Sequence, residues 1–241
     1  MLDELAFLSI FTCVLKKKLI AEAFGTFTLV FAGCGAIVIN DVSNGAITHV
    51  GVALTFGLVV MAMIYSVGGI SGAHINPAVT IAFAFAKRFP KAEVLPYLLA
   101  QVAGAIVACL LLKLLFLEHE TLGATLPAGP QWQSFLLELI LTLILMFTIL
   151  AVTAGDNASK LPVGIIVGGV VGLEAMFAGP ICGASMNPAR SIGPALVSMN
   201  LADLWIYIAA TTIGALIAVP LCACMGEKDC CCKVVGLDKV A

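Results

Sequence analysis

Two stretches of this chain repeat one another inside long apolar surroundings: Ser71-Gly72-Ala73-His74-Ile75-Asn76-Pro77-Ala78-Val79 and Cys182-Gly183-Ala184-Ser185-Met186-Asn187-Pro188-Ala189-Arg190. Five of nine positions agree at one fixed offset, and only the second copy ends in arginine. In each copy an apolar segment ends in Gly-Ala, Asn-Pro-Ala follows, and a second, shorter apolar run begins. Asparagine is favoured at a helix N-cap and proline at the first helical position, so both copies read as helix starts, at Pro77 and at Pro188.

The surroundings decide what kind of molecule contains these starts. The chain is 61% hydrophobic and 11% charged, whereas soluble domains are about 45–50% apolar and about 25% charged. An integral membrane protein follows. Its apolar runs approach the ~20 residues that a helix needs to cross a hydrocarbon core, which implies helices rather than a barrel. The spans read as Leu19–Ile39, His49–Val67, Val94–Phe116, Phe135–Val152, Leu161–Phe177 and Leu204–Met225. The pieces after Pro77 and Pro188 are too short to cross and are expected to be re-entrant. Residues 1–15 place acidic Asp3 and Glu4 before the lysines, the reverse of a cleavable signal peptide, and read as a cytoplasmic or interfacial segment.

Charge placement orients the spans. Ten of the twelve Lys and Arg fall in four places: Lys16 to Lys18, the Lys87/Arg88/Lys91 group, Lys160, and the tail Lys228, Lys233 and Lys239. With both termini cytoplasmic, all ten lie on the cytoplasmic side, as positively charged loops prefer. The two halves, about residues 16–116 and 132–225, then enter from opposite faces as an inverted repeat. Glu22 and Glu138, each near the start of the first span of its half, extend the correspondence. One domain covers residues 1–241, with a cytoplasmic tail at 226–241.

This topology gives the repeated motif its chemistry. The two short helices point their N-termini at mid-membrane, each presenting about half a positive elementary charge. A capping asparagine spends its side-chain oxygen on backbone N–H groups and keeps its NH2 for donation. Irregular backbone at membrane depth is tolerated only where it is buried in protein or lines a watery cavity. A lumen with two amide donors and two positive helix ends at its waist favours a neutral, oxygen-bearing solute over cations.

These segments, together with Ala21-Glu22-Ala23-Phe24-Gly25-Thr26, resemble the signatures of the aquaporin, or major intrinsic protein, family across essentially the whole chain. The resemblance implies an all-α membrane protein of six transmembrane helices plus two re-entrant half-helices. It implies a homotetramer in the cell membrane with one pore per subunit, and no cofactor. It assigns the pore motifs to Asn76, Pro77, Ala78 and Asn187, Pro188, Ala189, and a selectivity filter to Phe56, Ala175, Ala184 and Arg190. Two alanines make that constriction wider and more apolar than a histidine would. Phe177-Ala178-Gly179-Pro180 and Tyr207-Ile208 look more like the nodulin-26-type branch, associated with glycerol, urea, ammonia and metalloid acids. Ser191 and Ala195 follow the water-channel pattern instead, so a strict water channel is the alternative.

The remaining polar residues have plainer readings. Glu22, Glu138 and His74 read as anchors of the re-entrant loops, and His74 lacks partners at metal-ligand spacing. Glu174 reads as satisfied by backbone donors, with tuning of Arg190 as the other option. Cys182 is either a buried inert thiol or one the loop exposes. The partners expected are water, small neutral solutes and the bilayer; no nucleic acid is expected. A secondary transporter would need a titratable group at the central site, and none lies between the two asparagines. No nucleophile, base and orienting group converge on one segment, which argues against an enzyme.

Overall fold

The computed structural model describes residues 2–155 and 162–225, with residues 2–12 described by backbone alone. Lys160 and the tail Lys228, Lys233 and Lys239 lie outside the described residues. Those described form eight helices: α1 (Leu2–Val42), α2 (Thr48–Ser71), α3 (Pro77–Phe85), α4 (Lys91–Leu115), α5 (Gln131–Val152), α6 (Val163–Cys182), α7 (Pro188–Ser198) and α8 (Leu204–Met225). Six are long and apolar enough to cross a membrane, and α3 and α7, of 9 and 11 residues, are not. The architecture is therefore six spanning helices with two half-helices.

The expected span boundaries hold to within four residues except at the start of α1 and the end of α6. α1 starts at Leu2, well before Leu19, because its helix runs unbroken through the lysines. α2 continues to Ser71, where Gly72 takes a left-handed φ of 89° and its N–H returns to the Gly68 carbonyl. α6 continues past Phe177 to Cys182 although Gly179-Pro180 reads as a stop. Proline has no N–H and orphans the carbonyl four residues back; His49 Nε2 donates to that carbonyl, Met176 O, at 2.7 Å. A side chain from α2 thus satisfies the carbonyl that the proline orphans.

The two halves pack as one unit rather than side by side. α1 lies against α2 and α4, α5 lies against α6 and α8, and α2 packs on α6 across the repeat. Each half-helix is held by the other half's last span, α3 by α8 and α7 by α4. Lys18 pairs with Glu93 at 3.0 Å, and Arg88 donates to the Leu150 carbonyl at 3.2 Å, so both basic groups sit at one end of the bundle. Asp41, His119, Gln131 and Asp203 pair at the opposite end.

Close approach sets the pairing of α1 with α4 and of α5 with α8. A Cβ on Gly104 would collide with the Ala23 carbonyl oxygen, and one on Gly214 would collide with the Leu139 carbonyl oxygen. Backbone cannot give way as a side chain does, so overpacking here costs about 1–3 kcal/mol or more. Gly214→Val is expected to lower the unfolding midpoint in detergent, while Gly69→Ala, whose Cβ would meet nothing within 4 Å, does not lower it. Equal midpoints for both variants and the parent would contradict the close approach.

Candidate functional site

The site grows out of two short extended segments. After α2, Gly72, Ala73 and Ile75 take positive φ values of 89°, 47° and 42°; after α6, Gly183, Ala184 and Met186 take 83°, 41° and 54°. Left-handed backbone in non-glycine residues costs on the order of 1–3 kcal/mol each and persists only where the surroundings over-determine it. Here the surroundings are two buried carboxylates. Glu22 Oε1 accepts from His74 N at 2.9 Å and Oε2 from Ile75 N at 2.7 Å. Glu138 Oε1 accepts from Ser185 N at 2.7 Å and Oε2 from Met186 N at 2.9 Å.

Beyond each segment the asparagine turns the chain into a helix. Asn76 Oδ1 accepts from Ala78 N at 2.9 Å, and Asn187 Oδ1 accepts from Ala189 N at 3.0 Å. The amide nitrogens, expected to be free, are each half engaged: Asn76 Nδ2 donates to the Met186 carbonyl at 2.7 Å, and Asn187 Nδ2 donates to the Ile75 carbonyl at 2.9 Å. One amide hydrogen of each asparagine thus joins the repeats, and the second remains. The carbonyls of Gly72, Ala73, His74, Gly183, Ala184 and Ser185 accept from no donor among the described residues. All six residues except Gly183 line an inner cavity of about 100 Å³ with Asn76 and Asn187, room for several water molecules. Its other wall is apolar, including Val60, Leu145 and Val167.

An outer vestibule lies beyond this cavity, lined by Asn40, His49, Ala175 and Gly183 among others. Phe56 and Arg190 line both spaces, Ala184 the inner and Ala175 the outer. The four residues picked out by counting from the motifs therefore meet where the two spaces join. The Arg190 guanidinium lies 5.1 Å from the Phe56 ring centroid, within range of a cation–π attraction. Arg190 Nη1 donates to the Gly123 carbonyl at 2.8 Å. Its Nε is buried without an acceptor among the described residues, so a donor is left for whatever occupies the junction.

Several members of the support were not picked out from the sequence. Gln101 Nε2 donates to Glu22 Oε2 at 2.7 Å and to Thr80 Oγ1 at 3.0 Å, Ser71 Oγ donates to Glu22 Oε1 at 2.6 Å, and Tyr97 OH donates to the Ser71 carbonyl at 2.9 Å. Gln101, a lone amide in the apolar run of α4, was the available signal. The second loop is held differently, by Ser185 Oγ at 2.6 Å from Ser191 Oγ, which Thr125 Oγ1 approaches at 2.8 Å. His74 Nδ1 lies 3.1 Å from Thr80 Oγ1, and its ring packs among Phe83, Phe89 and Tyr97.

One further expectation changes, and one open alternative is decided. Glu174 has neither backbone donors nor a bond to Arg190: it is 1% exposed and both its carboxylate oxygens lack a partner. Its place inside α6 explains this, since the N–H groups around it are spent on the helix. Cys182 is buried, its thiol 3.5 Å from the Ala178 carbonyl, so the loop does not expose it. Among the described residues no group of three or more His, Cys, Asp or Glu could hold a metal ion.

Spanning helices, two half-helices meeting tip to tip, and a two-chamber passage along them define a membrane channel built as an inverted repeat. Sequence comparison gives the same class: the Major intrinsic protein family profile matches residues 9–221, and the chain belongs to that family. It is 50% identical over 201 residues to Aquaporin NIP1-1 of Zea mays, covering 83% of this chain and 71% of that one. It is 45% identical to Nodulin-26 of Glycine max over 83% and 74% of the two chains. Among solved structures, the aquaglyceroporin from Plasmodium falciparum superposes with a TM-score of 0.79 at 24% identity, over 86% of this chain and 95% of that one.

The carboxylate anchors supply a direct check. Removing an acceptor leaves each buried N–H unsatisfied at about 1–3 kcal/mol. Glu138→Ala, which orphans the N–H groups of Ser185 and Met186, is expected to lower the unfolding midpoint far more than Glu138→Gln, which keeps one acceptor. Two variants indistinguishable from the parent in a thermal scan in detergent would show that the carboxylate does not hold the loop.

Proposed function

We propose that the protein is a passive pore for water and for small uncharged solutes such as glycerol, urea and metalloid acids, and that it excludes protons and ions. The observation that carries this reading is the waist: two helix N-termini and two asparagine amides face a file of carbonyls that have no donor among the described residues. A neutral hydroxyl or amide molecule both donates and accepts, so it satisfies both sets in turn as it passes. A cation meets two positive helix ends and the Arg190 guanidinium without a carboxylate in the lumen to offset them, since Glu22 and Glu138 are turned into the loops that they anchor.

Solute size is set at the junction of the two spaces. Phe56 and Arg190 form its bulky side, Ala175 and Ala184 its small side, and the apolar side suits the carbon face of a polyol while the arginine takes its hydroxyls. In this reading residues 1–241 form one channel domain, with Asn76-Pro77-Ala78 and Asn187-Pro188-Ala189 at the waist. The protein assembles as a homotetramer in the plasma membrane with both termini cytoplasmic, the side to which the clustered Lys and Arg are drawn.

Stopped-flow light scattering of vesicles containing the purified protein tests this reading. Water, glycerol, urea and boric acid are all expected to equilibrate faster than in empty vesicles, with rates linear in the gradient. Water entry alone would reduce the protein to a strict water channel, and saturating or ion-coupled uptake would make it a transporter.

A further inference from the structure

The loop between α4 and α5 supplies the acceptor for Arg190, and the bonds that fix that loop lead outward to a single imidazole. Gly123, whose carbonyl takes Arg190 Nη1 at 2.8 Å, follows Leu122; the two residues have φ values of 72° and 52°. Leu122 is fully buried. Its N–H donates to His119 Nδ1 at 3.0 Å. The other ring nitrogen, His119 Nε2, sits 3.2 Å from Asp41 Oδ2 at the end of α1. Because Nδ1 accepts, Nε2 carries the ring proton and donates to Asp41: the geometry holds the neutral tautomer with both nitrogens engaged.

We infer that His119 is a positioning residue for Arg190, acting through Leu122 and Gly123, and that protonation of its ring withdraws the arginine's acceptor and closes the junction to solute. A second proton on the ring must go to Nδ1, which then faces the Leu122 N–H donor to donor. The ring does not turn away, because Asp41 holds Nε2 more strongly once the imidazole is charged. The Leu122 turn moves instead, and the Gly123 carbonyl moves with it. Gly123 packs closely on Cys34 of α1, where an added Cβ would stand 3.1 Å from Cys34 atoms, so the turn has more room to move away from α1 than towards it. Arg190, with Nε already lacking an acceptor, then turns its guanidinium to the water in the lumen and lies across the opening beside Phe56.

Charged and polar groups face His119 from several elements. Asp41 faces it from α1, and Glu118 and Glu120 line the same outer pocket from its own loop. Lys113, from the last turn of α4, is turned to the Leu117 carbonyl at 2.7 Å. From the segment after α7 the amide of Asn200 donates to the Glu120 carbonyl at 3.4 Å. Histidine is the side chain whose charge ordinarily changes in mild acid, which sets the pH range of the test.

This inference rests on the channel reading, and its test separates the two. Vesicles carrying the protein are equilibrated to one pH on both faces, from about pH 7.5 down to about pH 5, and water permeability is read by stopped flow. The parent is expected to lose more than half of its protein-dependent water flux across that range. His119→Asn offers an amide oxygen to the Leu122 N–H and does not titrate; it is expected to keep the parent's neutral flux and to stay flat with pH. His119→Ala has no acceptor and is expected to show the acid level of flux at every pH. Flux in the parent that does not change with pH, or a pH response retained in His119→Asn, overturns the inference while leaving the channel intact. No flux above empty vesicles at any pH would instead overturn the channel reading itself.

Discussion

The reciprocal pair of bonds between the two repeats, from Asn76 Nδ2 to the Met186 carbonyl and from Asn187 Nδ2 to the Ile75 carbonyl, is the constraint on which the rest depends. Neither half-helix is long enough to cross a membrane, and each begins in backbone that hydrocarbon would not tolerate. Joined at their tips, the two complete one crossing. The same asparagines cap both helices, so the groups that close the structural gap also place the two positive helix ends at the waist. Structure and electrostatics come from one pair of side chains.

Holding that junction requires support from behind, and the two halves supply it with different residues. The first loop hangs on Glu22 with Ser71 and Gln101 as further donors, and its neighbouring tyrosine, Tyr97, reaches the Ser71 carbonyl. In the second half Cys182 stands where Ser71 does, Thr211 stands where Gln101 does, and the Tyr207 hydroxyl lacks a partner. The outer half is thus tied by a different set of side chains, with Cys182 still bonded to Glu138. It is also the half that carries Arg190, and its further support comes from the α4–α5 loop, through Thr125 to Ser191 and through Gly123 to the arginine. A loop at the surface is therefore part of the lining of the passage.

Much of this was legible in the sequence because it is written twice. The Asn-Pro-Ala copies, the paired Glu22 and Glu138 and the distribution of lysines are all local patterns, and repetition separates them from chance. The class of fold and the residues at the junction follow from such patterns together with family resemblance. What could not be read were partners brought together from more than a hundred residues apart. Nothing local says that an asparagine amide at 76 will meet a carbonyl at 186, or that His49 will hold the carbonyl that Pro180 orphans and so carry α6 past its apparent stop. Glu174 misled for a related reason: a carboxylate between Leu173 and Ala175 looks as though it needs donors, and only the packing shows that it has none.

The central claim is that the waist passes neutral molecules and rejects cations by virtue of its two helix ends and the amides that cap them. The most direct measurement is the electrical current across a planar bilayer holding the purified protein, under proton and potassium gradients, at a protein density at which osmotic water flux is measured in the same membrane. Water flux without protein-dependent current is the expected result. A proton current that rises in step with the water flux would contradict it.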